Sequence, residues 1–311
     1  MSTFELIVVG IDGSDVAAAA LDWAADEADR RGSRLLIVHV GDVPPEGEPH
    51  THDLEVHDFA QILRSEAIAT VAESHPHVLC ETLVVQGDPA RVLVDLSATA
   101  DLVAVGTHRM GRLRGFVLGS VSQRVAAHAR CPVVTISGPT TADRDAAAIF
   151  LGASNTPGGL AAMRFACTEA RVRHVTVRAV RAISVDDWAL PGVAYPMADG
   201  LAALEITARL QLDSVVATAR REFPDVAVEA VLTTDSPFTA LIKATDDAGL
   251  IVVGARRGED TSLFHLGPVA SWLLHQAQCP TVVVPFPVGA TTSVPDGTGR
   301  STLLAPTGSD T

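Results

Sequence analysis

Short apolar runs punctuate this chain, and between them apolar residues recur with helical spacing. Leu6–Gly10 is apolar throughout and stops before Gly13 and Ser14, so it reads as a strand buried on both faces. Leu35–Val40, Val78–Val85, Leu102–Val105 and Pro132–Ile136 read the same way. Ala17–Arg31 is alanine-rich, sets Leu21, Trp23 and Ala28 among acids, and ends at Gly32. That predicts a helix with a glycine terminator, capped at its start by Ser14 or Asp15. Further helices are expected over 53–73, 89–98 and from Gly119 and Ser120 to about Ala129. Strands alternating with helices, and apolar on both faces, predict a parallel sheet covered by helices on each side. Such doubly wound sheets hold ligands at the carboxyl ends of their strands, where the strand order reverses. Asp12 and Gly106 stand at the ends of the first and fourth strands and become the candidate positions.

The pattern then repeats. Gly106, Gly119 and Cys131 recur as Gly254, Gly267 and Cys279, a constant offset of 148 residues (254 − 106, 267 − 119, 279 − 131). Two copies of one unit are implied. The expectation is two tandem doubly wound, Rossmann-like α/β domains, each a five-stranded mostly parallel sheet flanked by helices. The first domain covers 1–138, a polar, turn-rich linker 139–146, and the second domain 147–286. The second copy opens with a strand over Ala147–Gly152 and a helix start at Thr156 and Pro157, threonine as cap and proline at the first helical position. A segment from Ser184 to Pro196, with Trp188 and Tyr195, replaces the first copy's loop. From 287 to 311 the chain is rich in Gly, Thr, Ser and Pro without periodicity, which predicts a disordered tail.

Composition narrows the function classes. The 311 residues are 47% hydrophobic, enough for a core in each half, and no apolar run reaches the roughly 18 residues that span a bilayer. The start of the chain lacks a basic signal region, so a cytoplasmic protein is expected. A net charge of −14 argues against nucleic-acid and anionic-membrane partners. The four cysteines, Cys80, Cys131, Cys167 and Cys279, have no paired spacing, which points to reduced thiols rather than disulfides or zinc. His50, His52, Asp53 and His57 cluster at a loop and helix start, with a spacing that matches no metal site.

The residues with chemistry lie in one loop. Gly106 lets backbone approach closely where the strand ends, and Gly119 and Ser120 open a helix whose free amides and dipole favour an anion. Ser122 adds a hydroxyl. His108, Arg109, Arg112 and Arg114 supply local positive charge in an acidic protein. A turn-rich connection with a solvated basic rim has the same composition, so pattern alone leaves both readings open. No Walker loop, no GxGxxG after a strand and no nucleophile–base arrangement is present, so at most a slow ATPase is expected.

The glycine loop, the following Pro132–Val134 strand and the opening strand ending in Asp12 together resemble the universal stress protein family, in its tandem form. The resemblance covers both halves. It implies binding of ATP or ADP, with a magnesium ion where a triphosphate is held. By that resemblance Asp12 reads the adenine and the backbone at Val40 faces the base. Gly106, Gly119, Ser120, Val121 and Ser122 would hold ribose and phosphates. Arg109 stands where the family has its second motif glycine, with Gly111 two residues later; its guanidinium either obstructs the loop or meets the phosphates. In the second copy Ser154 replaces Asp12, Arg257 takes the second glycine position beside Gly258, and Pro268 replaces Ser120, so weak or absent nucleotide binding is expected there.

Two function classes follow. One is a nucleotide-responsive regulator of stress or growth, with protein clients unspecified. The other is a dimerisation and interaction scaffold that keeps the fold without the nucleotide. The resemblance also implies that the last strands, Pro132–Ile136 and Pro280–Val284, could pair with each other within one chain, for which their Val, Thr and Ile are suited, and a homodimer of whole chains is also expected.

Overall fold

A computed structural model describes residues 5–41, 51–107, 120–139, 141, 146–183, 198–255 and 266–286, with backbone alone at 51–59, 120 and 198–201. In the first half, strands β1 (Leu6–Ile11), β2 (Arg34–Gly41), β3 (Cys80–Gln86), β4 (Leu102–Gly106) and β5 (Val133–Ile136) alternate with helices α1 (Asp15–Arg31), α2 (Thr51–Ser74), α3 (Pro89–Leu96) and α4 (Ser120–His128). The second half repeats the plan. Its strands are β6 (Ile149–Gly152), β7 (Val177–Ala182), β8 (Val228–Thr233), β9 (Leu250–Gly254) and β10 (Thr281–Val284). Its helices are α5 (Pro157–Arg173), α6 (Ala198–Glu222), α7 (Pro237–Ala244) and α8 (Pro268–Gln276).

The local signals act as their chemistry requires. Ser14 is the α1 cap and accepts the Ala17 N–H at 3.3 Å, while Asp15 is the first helical residue. Gly32 closes α1 at φ 66°, a left-handed conformation that favours glycine. Thr156 caps α5 and accepts from Gly159 at 3.2 Å, with Pro157 just inside. None of the four cysteines, all of them among the described residues, forms a disulfide. The 142–145 part of the linker, the tail from 287, the 184–197 segment and the side chains of His52, Asp53 and His57 lie outside the described residues, as does His50.

Each half is a five-stranded, wholly parallel sheet, and the two halves are one sheet. The strand order is β3-β2-β1-β4-β5-β10-β9-β6-β7-β8. β5 and β10 pair antiparallel at its centre, Val134 opposite Val282 and Thr135 opposite Thr281. The last strands do pair within one chain. The strand edges that would otherwise stand unpaired are thereby closed.

Two apolar layers sandwich this sheet, and both run through the seam. One joins Val134 and Ile136 to Val282 and Val284 beneath α1, α2, α5 and α6. The other joins Val133 to Val283 beneath α3, α4, α7 and α8. Fully buried aliphatic side chains on both faces make the two halves a single folding unit.

A cluster of charges locks the halves on the α1 and α5 side. Glu27 and Glu169 are fully buried. Arg31 bonds Glu27 within α1 and Glu169 across the seam at 2.5 Å. Arg173 does the reverse, bonding Glu27 at 2.6 Å and Glu169 at 3.2 Å, with its guanidinium 5.5 Å from the Trp23 ring centre. Arg30 adds a third cation to Glu27 alone, at 2.6 Å. Burial raises Glu27, but Arg173, Arg31 and Arg30 outweigh it and hold that carboxyl below its ordinary value. Glu169 lacks the third arginine. Burial, then the charge of Glu27, push it up to about 7. Both acids share the same guanidiniums, so they lose protons as a pair.

Candidate functional site

In each half the strand order reverses beside the first strand, between β1 and β4 and between β6 and β9. The carboxyl ends of those strands form the candidate edge.

In the first half, Asp12 follows β1 directly and is exposed. Its Oδ1 accepts the Ser14 N–H at 3.0 Å, across Gly13 at φ 82°. Val40 lies half-buried near the end of the neighbouring β2, so Asp12, Val40 and Gly106 share one edge. Asp88 caps α3, accepting from Ala90 at 2.9 Å, and receives both ends of the Arg124 guanidinium at 3.0 and 2.7 Å. The bond to Arg124 holds the Asp88 carboxyl below its usual range. Neither Asp88 nor Arg124 stood out in the sequence, because capping acids and exposed arginines are common.

Gly106 packs closely against the protein's own first helix. A Cβ there would lie 2.7 Å from the carbonyl carbon and oxygen of Val16 and 2.8 Å from Ala17 N. The first turn of α1 crosses the end of β4 at a distance that only glycine permits. Gly254 repeats the arrangement, with Gly158 O at 2.5 Å from the equivalent Cβ. These glycines set helix on strand in both copies.

The remaining first-half positions divide. Val121 is half-buried on α4. Ser122 is 2% exposed, and its hydroxyl donates to Thr107 Oγ1 at 3.3 Å. Thr107 in turn reaches Leu274 O of α8 at 3.5 Å, and Gln123 Nε2 meets His275 Nε2 at 2.6 Å. The Ser122 hydroxyl therefore lies between the end of β4 and α8 of the second half. Arg109, Gly111, Gly119, Arg257 and Gly258 lie outside the described residues, and of Ser120 the structure gives only its place as the first residue of α4. No group of three or more His, Cys, Asp or Glu capable of holding a metal is present among the described residues.

The second half encloses a cavity of about 770 Å³ at the same edge. That lies within the size range of small-molecule sites. Ser154, Gly158 and Gly254 line its floor, Val180 and Arg181 one side, and the starts of α5, α7 and α8 converge on it. Each of those helices begins with proline: Pro157, Pro237 and Pro268. The chemistry has shifted relative to the first half. Asp12 becomes Ser154, and the capping Asp88 becomes Ser236. The Asp88–Arg124 ion pair gives way to the rings of Phe238 and Trp272, 5.6 Å apart and nearly perpendicular. Arg181 takes the register position of His39. Both side chains hold a carbonyl at the end of the first strand of their half, His39 Nδ1 at 3.0 Å from Ile11 O and Arg181 Nη1 at 3.2 Å from Ala153 O.

A doubly wound α/β protein made of two fused copies, each with its strand order reversing beside its first strand, is the class that the fold defines. The family model "Universal stress protein family" matches residues 3–137 and 148–285. The chain belongs to the universal stress protein family, as two tandem domains. One similar relative is a universal stress protein of Mycobacterium tuberculosis H37Rv, 32% identical over 289 residues, 89% of this chain and 96% of that protein. Another from the same strain is 30% identical over 292 residues, 89% and 95% of the two chains. Among solved structures, a universal stress protein from Archaeoglobus fulgidus matches 92% of this chain and 100% of its own, with a TM-score of 0.69 and 14% identity, a likeness of fold. A single-domain universal stress protein solved in complex with cAMP matches 43% of this chain and 98% of its own at 29% identity, with a TM-score of 0.36. No described helix is long and apolar enough to cross a membrane.

Proposed function

We propose that the first domain binds an adenine nucleotide, ATP or ADP, and that the chain acts as a nucleotide-responsive regulator of stress or growth. The exposed Asp12 carboxylate at the β1–β4 switch point is the observation that carries this reading. An acceptor there suits the amino group of adenine, and Val40 lies beside it on the same edge. Ser120 opens a nine-residue helix, whose start suits phosphate oxygens, and Gly106, Arg109, Gly111, Gly119, Val121 and Ser122 complete the proposed set. A magnesium ion would accompany a triphosphate. Differential affinity for ATP over ADP would then bias one conformation or assembly.

The test is calorimetric titration of the full chain with ATP, ADP and cAMP, each with magnesium, beside analysis of nucleotide released on denaturation. One nucleotide per chain, with affinity lowered tenfold or more by Asp12→Ala in a protein of unchanged fold, supports the reading. Absence of binding in all three titrations refutes it. One observation favours the scaffold as the second reading: Ser122 is buried at the seam and turned toward Thr107 and the second half. A homodimer of whole chains, which sedimentation would detect, would use surfaces other than the β5–β10 seam, since that pairing is internal.

A further inference from the structure

The cavity of the second domain is not a worn copy of the first domain's edge. Its charges have been exchanged. No carboxylate is present among the described residues that line it. The guanidinium of Arg181 is: Nη1 donates to Ala153 O at 3.2 Å and Nη2 to Gln211 Oε1 at 2.6 Å. Both partners are neutral. Its Nε is buried and has no partner among the described residues. Loss of hydration lowers the Arg181 pKa, as expected for a cation without a counter-ion. The start of α8 adds to the field, since its cap Gly267 gives no side-chain bond and Val269 and Ala270, early in the helix, line the cavity. Ser154, Thr156 and Ser236 add neutral hydroxyls, and Phe238, Leu241, Val253 and the three proline rings give the wall its apolar part.

A cation that no described carboxylate neutralises, lining a largely apolar space of about 770 Å³, calls for a ligand of matching character. We propose that this cavity binds a small organic acid with an aromatic or aliphatic body, its anionic group answering Arg181 and the α8 start. A nucleotide is disfavoured in this half. Ser154 offers a hydroxyl in place of the Asp12 carboxylate, and Pro268 removes both a hydroxyl and an amide donor from the α8 start. Nothing in this inference depends on nucleotide binding in the first domain.

Two probes with the same aromatic body test it: 8-anilinonaphthalene-1-sulfonate, an anion, and N-phenyl-1-naphthylamine, which is neutral. Each is titrated by fluorescence into the full chain. The expected result is one anionic probe bound per chain, at least tenfold tighter than the neutral one. Arg181→Met should weaken the anion by tenfold or more and the neutral probe by less than twofold. Arg181→Lys keeps the charge and should retain most anion affinity, which guards against a folding defect in the methionine variant. Val269→Trp, which fills the space beside α8, should exclude both probes. Equal affinity of the two probes, or anion binding indifferent to Arg181→Met and Val269→Trp, overturns the proposal. So does ATP displacing the anionic probe from an Asp12→Ala chain, because that would make the cavity a nucleotide site. Loss of ATP binding on Asp12→Ala with anion binding intact keeps the two readings separate.

Discussion

Arg173→Met would test how firmly the two halves are joined. Arg173 is one of two guanidiniums between two fully buried carboxylates, and it crosses the seam to Glu27 at 2.6 Å. Without it, Glu169 keeps only Arg31 among its cluster partners. Removing one partner from a buried ion pair costs about 3–5 kcal/mol, and the lost contact with Trp23 adds up to about 1 kcal/mol. Methionine restores part of the packing, so a net loss of about 4 kcal/mol is expected at pH 8. The pH dependence supplies a second check. Glu169 is raised from 4.5 to about 7, so its contribution is fully present below about 4.5 and is lost as pH rises through about 7. That shift alone corresponds to roughly 3 kcal/mol. Glu27 is lowered, so its contribution is present above 4.5 and is lost as pH falls through its depressed value. Taking away a cation raises Glu169 further. At pH 5.5 the variant carries that proton in the folded state and avoids part of the penalty. Urea unfolding followed by circular dichroism at pH 5.5 and pH 8 should therefore show a smaller difference from the parent protein at pH 5.5. A loss below about 1 kcal/mol at pH 8, or one that grows as pH falls, would refute the reasoning.

Other expectations follow from the same contacts. Gly106→Ala should destabilise the fold by about 1–3 kcal/mol or more, because its Cβ meets the α1 backbone, which has no rotamer with which to escape; a midpoint shift in urea measures it. Gly32→Ala, where nothing lies within 4 Å, should lose only about 1 kcal/mol through its φ of 66°. Burial pushes Cys131 and Cys167 up to about 12, so neither should alkylate at pH 8 in the native state, while the half-buried Cys80 should do so first; peptide mapping after iodoacetamide distinguishes them. Val282→Asp places a charge on a fully buried seam strand and should leave little folded protein, as circular dichroism would show.

Features read correctly from sequence are local ones. Ser14, Gly32, Thr156 and Pro157 act within one helical turn of themselves, so their roles follow from residue type and position. The wholly parallel halves follow from apolar runs alternating with helical periods, whereas the β5–β10 pairing is implied by the family resemblance. Glu27 and Glu169 were not legible, because an acid on an amphipathic helix looks like Asp26 or Asp29 beside it. A signal existed: Glu followed four residues later by Arg appears in both α1 and α5. Arg181 carried a similar hint, a charge near the end of a strand whose other residues, Arg178 apart, are Val and Ala. At the candidate edge, the sequence placed Asp12 and Gly106 at adjacent strand ends. It did not reveal that the nearest atoms to Gly106 are the protein's own helix.

By itself the sequence determined the elements, their repetition and the family, because periodicity, caps and motif spacing act over a few residues. Tertiary structure alone decided that both apolar layers run unbroken through the seam, that four buried charges meet across α1 and α5, and that the second edge opens into a cavity lined by an arginine that no described carboxylate meets. These depend on which faces meet, and residues 138 to 146 positions apart in the chain meet there only once both cores are packed.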